Sequence, residues 1–200
     1  MKTLDLIKQL KNIKKDYLSV SDLAQLLGLG ERSVYISLSR LEKAEVLTRL
    51  KTGIYVLADQ EVDLKVIANQ LCYPSYLSFE TALGDFGIVS QKAYTLTFAT
   101  TRRSKKDLLG QTEVEYRHLN KELFFGYALK KGLYYAEPEK ALLDQLYMVS
   151  LGKAKLDFEE LDLHELSFKK TEKMAQKFPK SVQKKLTELK PRWKEIPVTI

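Results

Sequence analysis

Side chains between residues 32 and 51, most of them basic or small and polar, recur at spacings that place them on one outer surface. Seven are expected on a helix and two on the hairpin after it: Arg32, Ser33, Tyr35, Ile36, Ser39, Arg40, Lys43, Arg49 and Lys51. Arginine donates two hydrogen bonds to O6 and N7 of guanine, and basic side chains neutralise phosphates. The set predicts contact with double-stranded DNA. The alternative is a small helical unit without a ligand, whose charges are only solvated.

Within this set, residue type suggests the role of each side chain. Arg32 and Arg40 are the candidates for guanine edges, because their guanidinium groups bond in pairs. Ser33 and Ser39 are expected to contact phosphates or adenine edges.

The elements that must position these residues begin at Ser19. Ser19 followed by Asp22, just before an apolar run, predicts a capping box at the start of a helix. The apolar face of this helix comprises Leu23, Leu26 and Leu27. Gly28 then supplies the left-handed residue that commonly follows a helix end.

A second helix is predicted from Glu31 to about Ala44, capped by Gly30. Leu29 and Val34 have the spacing of a hydrophobic staple around that cap. The buried face is expected to comprise Val34, Leu38 and Leu41. Two short helices joined by a tight turn are typical of a helix-turn-helix, whose second helix enters the major groove.

A hairpin is predicted after the second helix. Leu47–Leu50 and Ile54–Leu57 read as strands, joined by the three residues Lys51–Gly53. Arg49 and Lys51 are then expected to hold the DNA backbone or the minor groove. With a first helix over Thr3–Tyr17, this predicts a winged helix-turn-helix domain over residues 1–60.

Composition and charge agree with a soluble binding protein. The 200 residues carry a net charge of +7, which points to a polyanionic partner. Basic residues are in excess before residue 60 and after residue 150, whereas the middle is balanced. The single cysteine, Cys72, excludes an intrachain disulfide and is expected to be buried. No signal-peptide or membrane-spanning pattern is present, so a cytoplasmic protein without a membrane partner is expected.

Residues 61–200 predict a second, mixed α/β domain, so the overall class expected is α+β. Helices are expected over Asp63–Tyr73, within Pro74–Leu83 with Ser78 as a plausible cap and Gly84 or Gly87 as its end, and from Pro138. Strands are expected over Tyr94–Ala99, Val114–Leu119, Leu123–Tyr127 and Leu133–Ala136. A lysine-rich helical tail follows, with helices over Lys169–Phe178 and Ser181–Leu189, a break at Pro179 and an irregular end from Pro191.

A second basic group lies within this domain, on a predicted polar loop over Thr101–Lys106. Its members are Arg102, Arg103, Lys105 and Lys106. This group either makes a further contact with DNA or is only a solvated loop, and the sequence leaves both interpretations open.

The sequence gives no positive indication of an enzyme. His118 and His164 lie far apart in the sequence, and neither has a cysteine or histidine at the spacing of metal ligands. Glu139 and Asp144 follow Pro138, where acids can serve a metal-dependent nuclease but also favour a helix N-terminus. The helix-start role is preferred. No catalytic residue, metal ligand or cofactor is therefore predicted.

Four stretches of the chain resemble the AbiEi family of antitoxins: Pro74–Leu83, Phe86–Gly87, Thr100–Arg103 and Glu137–Asp144. The most specific is the last, Glu-Pro-Glu-Lys-Ala-Leu-Leu-Asp. The resemblance spans nearly the whole chain, because that family also begins with a winged helix-turn-helix.

The resemblance implies two activities in a bacterial abortive-infection, or phage-defence, toxin–antitoxin system. One is repression of its own operon by binding inverted repeats in promoter DNA. The other is neutralisation of a cognate nucleotidyltransferase-like toxin without a stable complex, the type IV arrangement. The alternatives are a nuclease in the second domain with Asp144 and Glu139 as metal ligands, and a winged-helix adaptor that binds only protein.

Overall fold

The computed structural model describes residues 8–10, 12–13, 15–91 and 93–194. The chain is a mixed α/β protein with helices and two separate sheets, as its sequence predicts at that level. It divides into two compact units. The first comprises the described residues of Met1–Ala68 with Leu108–Thr112, and the second comprises Asn69–Asp107 with the described residues from Glu113 onward.

The first unit joins two helices to a three-stranded antiparallel sheet. Its elements are β1 (Leu18–Ser19), α1 (Val20–Leu27), α2 (Glu31–Lys43), β2 (Leu47–Lys51) and β3 (Ile54–Leu57). The strand order is β1-β3-β2, so β3 is central. Of the apolar side chains that sequence periodicity assigns to the inside, Leu23, Val34, Leu38 and Leu41 are buried in one cluster, whereas Leu26 and Leu27 are only partly buried against it.

Two details of this unit differ from the sequence-based expectation. The helix predicted over Thr3–Tyr17 lies largely outside the described residues; residues 8–10 and 12 are helical, but residues 15–17 are not. The backbone is extended at Leu18, because Leu18 pairs with Tyr55 as a third strand. The hairpin connection is also shorter than predicted. Lys51 pairs with Ile54 across a bulge, which leaves Thr52 and Gly53 to make the turn.

The second sheet has six strands in the order β6-β7-β5-β4-β9-β8. Its strands are β4 (Ser75–Leu77), β5 (Leu96–Thr100), β6 (Lys105–Leu109), β7 (Thr112–His118), β8 (Tyr127–Lys130) and β9 (Leu133–Ala136). The pairings β4–β9 and β5–β7 are parallel, whereas β4–β5 and β8–β9 are antiparallel. The helices are α3 (Leu64–Leu71), α4 (Phe79–Asp85), α5 (Pro138–Ser150), α6 (Phe168–Ala175) and α7 (Lys180–Lys194).

The helix predicted within Pro74–Leu83 is confirmed with Ser78 as its N-cap, and it begins at Phe79. The residues before the cap were not predicted as a strand: Ser75–Leu77 forms β4, a central strand between β5 and β9. All three strand residues are buried, so pairing on both edges outweighs the weak helical pattern of this short stretch.

The strand predicted over Leu123–Tyr127 is wrong. Lys121–Leu123 forms a 3₁₀ turn, and β8 starts at Tyr127. Strand β8 instead uses residues up to Lys130, which the sequence pattern assigned to the connection before β9.

The tail is more helical than predicted. Helix α7 continues through Pro191 to Lys194, although an irregular end was expected from Pro191 onward. Its buried residues Val182, Leu186 and Leu189 hold it in the core of the second unit. Trp193 donates a hydrogen bond of 3.0 Å from Nε1 to the carbonyl of Leu166, which extends this anchorage to the last turn.

Candidate nucleic-acid interface

Helix α2 is positioned by caps on both sides of the turn that precedes it. The Asp22 backbone N–H donates to Ser19 Oγ at 3.2 Å, and the Ser19 N–H donates to Asp22 Oδ2 at 2.9 Å. The predicted capping box is therefore confirmed. Gly28 has φ +63°, a left-handed conformation that favours glycine, and Gly30 is the N-cap of α2. Both glycine predictions are confirmed.

The inner face of α2 fixes which side of the helix faces outward. Val34 and Leu38 are completely buried and Leu41 is buried, as the 3.6-residue repeat predicts. Burial of these three apolar side chains sets the rotation of the helix about its axis.

The opposite face carries the seven side chains that sequence analysis selected on this helix. All seven are exposed: Arg32, Ser33, Tyr35, Ile36, Ser39, Arg40 and Lys43. Tyr35 is 56% exposed and Ile36 is 58% exposed. Large apolar groups on a basic helix face suit contact with thymine methyl groups, just as the arginines suit guanine edges.

The hairpin next to α2 presents one exposed basic residue, Arg49. Arg49 donates from Nη2 to Thr52 Oγ1 at 3.0 Å, so the turn residue holds the arginine side chain. Sequence analysis did not identify this role of Thr52. Lys51 is half-buried. It is less exposed than a turn residue because it pairs with Ile54 as part of a strand.

Tyr55 on β3 lies behind this surface and is buried. Burial, with the negative charge of Glu42, raises the pKa of Tyr55, although the positive charge of Arg49 opposes the shift. The phenol is therefore neutral and acts as core.

The second basic group is only partly a loop. Arg102 and Arg103 lie on a connection, but Lys105 and Lys106 belong to β6, which corrects the loop predicted over Thr101–Lys106. All four side chains are exposed. Lys105 lies 4.8 Å from the centroid of the Tyr116 ring.

His118 holds the connection before β6, a role that its position on a predicted strand did not reveal. Its backbone N–H donates to Ser104 Oγ at 2.9 Å, and its Nδ1 lies 3.0 Å from the Arg102 carbonyl oxygen. These hydrogen bonds give the histidine a structural role.

The acids near Pro138 divide into two environments. Glu137 and Glu139 both accept hydrogen bonds from Lys170 Nζ, at 2.8 and 2.9 Å. Asp144 is completely buried, where it pairs with Lys140 on the same helix. The helix-start role suggested for Asp144 is therefore wrong, since Asp144 lies in the middle of α5.

Two hydroxyl groups complete the surroundings of Asp144. Tyr76 Oη donates to Asp144 Oδ2 at 2.9 Å, and Ser78 Oγ donates to the same oxygen at 2.8 Å. Burial lowers the pKa of Lys140 and raises that of Asp144, while the attraction between them opposes both shifts.

In the described ranges, no group of three or more His, Cys, Asp or Glu side chains is arranged to hold a metal ion. The same ranges contain no helix with the length and apolar character needed to cross a bilayer.

Comparison with known proteins adds no relative: no protein-family model and no curated protein matches this chain.

Proposed function

We propose that the protein is a sequence-specific DNA-binding repressor whose first unit is a winged helix-turn-helix. In this proposal α1 and α2 are the paired helices, α2 is the recognition helix, and the β2–β3 hairpin is the wing. The protein binds inverted repeats in the promoter of its own operon and acts in the cytoplasm.

One observation carries the proposal. Helix α2 buries Val34 and Leu38 while every polar or basic residue selected on its other face is exposed. A helix whose only role is to pack against the core would carry solvated charges on its outer face. It would not need exposed tyrosine and isoleucine side chains between two arginines. That combination supports base-edge contact in a major groove.

The mechanism divides the contacts by chemistry. Arg32 lies in the first turn of α2, the part of a recognition helix that leads into the groove. Arg32 and Arg40 read guanine edges, whereas Arg49 and Lys51 neutralise phosphates without reading sequence. Release of counterions then makes binding to any duplex fall as salt rises.

We further propose that the protein is the antitoxin of an abortive-infection system. The support is the resemblance of residues 74–83 and 137–144 to the AbiEi family. These stretches contribute Tyr76, Lys140 and Asp144 to the polar cluster buried in the second unit. The partner is a nucleotidyltransferase-like toxin, which is neutralised without a stable complex.

Fluorescence anisotropy tests the DNA-binding proposal. A labelled duplex from the protein's own promoter is compared with a scrambled duplex of equal length and composition, each over a range of salt concentrations. Specific repression requires tighter binding to the promoter by a factor of about 10³ or more. Equal binding to both duplexes overturns it.

Co-expression tests the antitoxin proposal. The gene beside this one is expected to encode the toxin, and the full chain should restore growth without co-purifying with it. A tight stoichiometric complex that retains no DNA would instead identify a protein-binding adaptor. Magnesium-dependent loss of the duplex during incubation would identify a nuclease.

A further inference from the structure

A pocket of about 320 Å³ lies in the second unit, and none of the basic side chains selected above lines it. Its polar lining comes from four parts of the chain: Glu80 on α4, Gln91 and Tyr94 before β5, Gln145 on α5, and Lys155, Asp157 and Glu160 after α5. Carboxylates outnumber cations among these described residues.

Gln145 is one of the residues that line the pocket. Its side chain is completely buried, and its Nε2 donates to Glu80 Oε1 at 3.0 Å and to the Lys155 carbonyl at 3.4 Å. Both partners line the pocket, so the terminal amide lies between two of its walls. The opposite amide orientation would bring Oε1 against the Glu80 carboxylate, so the donors fix which way the amide points.

This orientation leaves one acceptor without a donor. Gln145 Oε1 is buried and has no hydrogen-bond partner among the described residues. A buried acceptor in this condition costs free energy, and native proteins rarely keep one without a reason. A hydrogen-bond donor seated in the pocket would remove that cost.

The charge of the lining indicates what kind of donor fits. Arg117 already binds the Glu80 carboxylate through two hydrogen bonds of 3.0 and 2.7 Å. Asp157 and Glu160 are exposed, and among the described lining residues they leave an excess of negative charge over the positive charge of Lys155. A cationic donor is favoured by this balance.

The apolar part of the lining indicates the rest of the ligand. Tyr94 is 99% exposed at the pocket, where its ring is open to a cation. Further walls come from Leu83, Val89 and Leu156. An aliphatic stem packs against such walls while its charged head remains hydrogen-bonded.

We propose that this pocket binds a guanidinium or primary ammonium group carried on a short aliphatic stem. Gln145 Oε1 accepts an N–H of the group, Asp157 and Glu160 balance its charge, and the Tyr94 ring covers it. The source is either an arginine or lysine side chain of a partner protein or a free polyamine. This inference does not depend on DNA binding, so its failure would leave the proposed repressor role untouched.

The test uses two probes of the same shape and different charge. Butylguanidinium and the uncharged butylurea are titrated into the isotope-labelled full chain, and the side-chain amide signals of Gln145 are followed by NMR. Butylguanidinium should shift those signals and bind at least about tenfold more tightly than butylurea. Equal binding of the two probes, or no shift at Gln145, overturns the proposal.

Surface variants make the test independent of the stability of the core. Tyr94→Ala and Glu160→Gln should each weaken butylguanidinium binding about threefold. Lys155→Met should strengthen it, because the competing positive charge is gone. Glu172→Gln makes the same charge change at an exposed site on α6 outside the pocket and should have no effect. Unchanged affinity in both Tyr94→Ala and Glu160→Gln overturns the proposal.

Two further probes distinguish the sources of the cation. Tighter binding of N-acetyl-arginine amide than of agmatine would support a side chain of a partner protein. Tighter binding of agmatine would support a free polyamine. Either result upholds the chemistry of the site, provided that the Gln145 signals move.

Discussion

Lys140 and Asp144, one helical turn apart on α5, form an ion pair in which both side chains are completely buried. Lys140 Nζ also donates to Tyr76 Oη at 2.8 Å and lies about 5 Å from the rings of Phe125 and Phe178. The pair is thus surrounded by hydroxyl and aromatic groups. Each charge is stabilised by the other, so neither can be removed alone without leaving an uncompensated charge in the core.

This relationship gives the first prediction. Lys140→Met or Asp144→Leu alone should lower the free energy of unfolding by about 3–5 kcal/mol, because each leaves one buried charge unpaired. The double variant should lose less than the sum of the single losses by about 2 kcal/mol. Urea unfolding followed by circular dichroism measures all three values.

A matched control for that prediction is Lys170→Met. Lys170 also bonds two carboxylates, Glu137 and Glu139, but its side chain is 46% exposed. Because water screens Lys170 and Glu137, this variant should cost less than Lys140→Met, although Glu139 is only 6% exposed. Equal losses in Lys140→Met and Lys170→Met would show that burial of the first pair does not matter.

The second prediction concerns the capping box and pH. Burial raises the pKa of Asp22, but hydrogen bonds from Lys15 and Ser19 outweigh it, and the net pKa lies below 3.8. A lowered folded-state pKa gives stability that is present above the unfolded-state value and lost as pH falls through the folded-state value. The stability difference between the natural chain and Asp22→Asn should therefore stay constant from pH 7 to about 5 and shrink below about 4.

Thermal unfolding at a series of pH values checks this prediction. Lys15→Met removes one hydrogen-bond donor to Asp22, so it should retain only part of the same pH dependence. A difference between the natural chain and Asp22→Asn that does not change between pH 7 and pH 3 would contradict the assigned role of the carboxylate.

The sequence predicted the first unit well because its signals are local. Ser19 and Asp22 are three residues apart, and Gly28 follows the helix that they start, so each cap is specified by its neighbours. Strand β1 was missed because two residues cannot show a repeat. Only the backbone of Tyr55, far along the chain, identifies Leu18 as a strand residue.

The second unit was predicted less well because its elements are determined by distant partners. Ser75–Leu77 is a strand because β5 and β9 lie on either side of it, and no pattern within three residues encodes that. The buried ion pair was not predicted for the same reason. Lys140 and Asp144 have the spacing of a common surface pair on a helix, and only the packing of other elements around α5 buries them.

The third prediction compares two aliphatic residues on α2. Leu38 is completely buried and Ile36 is 58% exposed, although both lie on the same helix. Leu38→Ala should cost about 2–5 kcal/mol of unfolding free energy, since it leaves a cavity. Ile36→Ala should change stability by less than about 0.5 kcal/mol but weaken promoter binding. Urea unfolding and anisotropy, measured on both variants, separate the two roles.

The fourth prediction concerns the proposed wing. Arg49→Ala should weaken binding to promoter and scrambled duplexes by a similar factor, and should reduce the slope of log affinity against log salt by about one. Lys184→Ala, at an exposed site on α7, makes the same change in net charge and serves as the control. If both variants changed the salt slope equally, the effect would come from total charge and not from a contact made by Arg49.

The last prediction separates charge from base recognition at Arg40. Arg40→Lys keeps the positive charge but loses the planar pair of donors that guanine requires. It should therefore retain the salt slope while losing about 1–3 kcal/mol of binding free energy on the promoter and much less on the scrambled duplex. Arg40→Ala should lose the same preference for the promoter sequence. It should also bind every sequence more weakly, by about as much as the loss of one phosphate contact. Anisotropy titrations of both variants on both duplexes measure this, and a Lys variant that keeps full promoter preference would exclude Arg40 from base recognition.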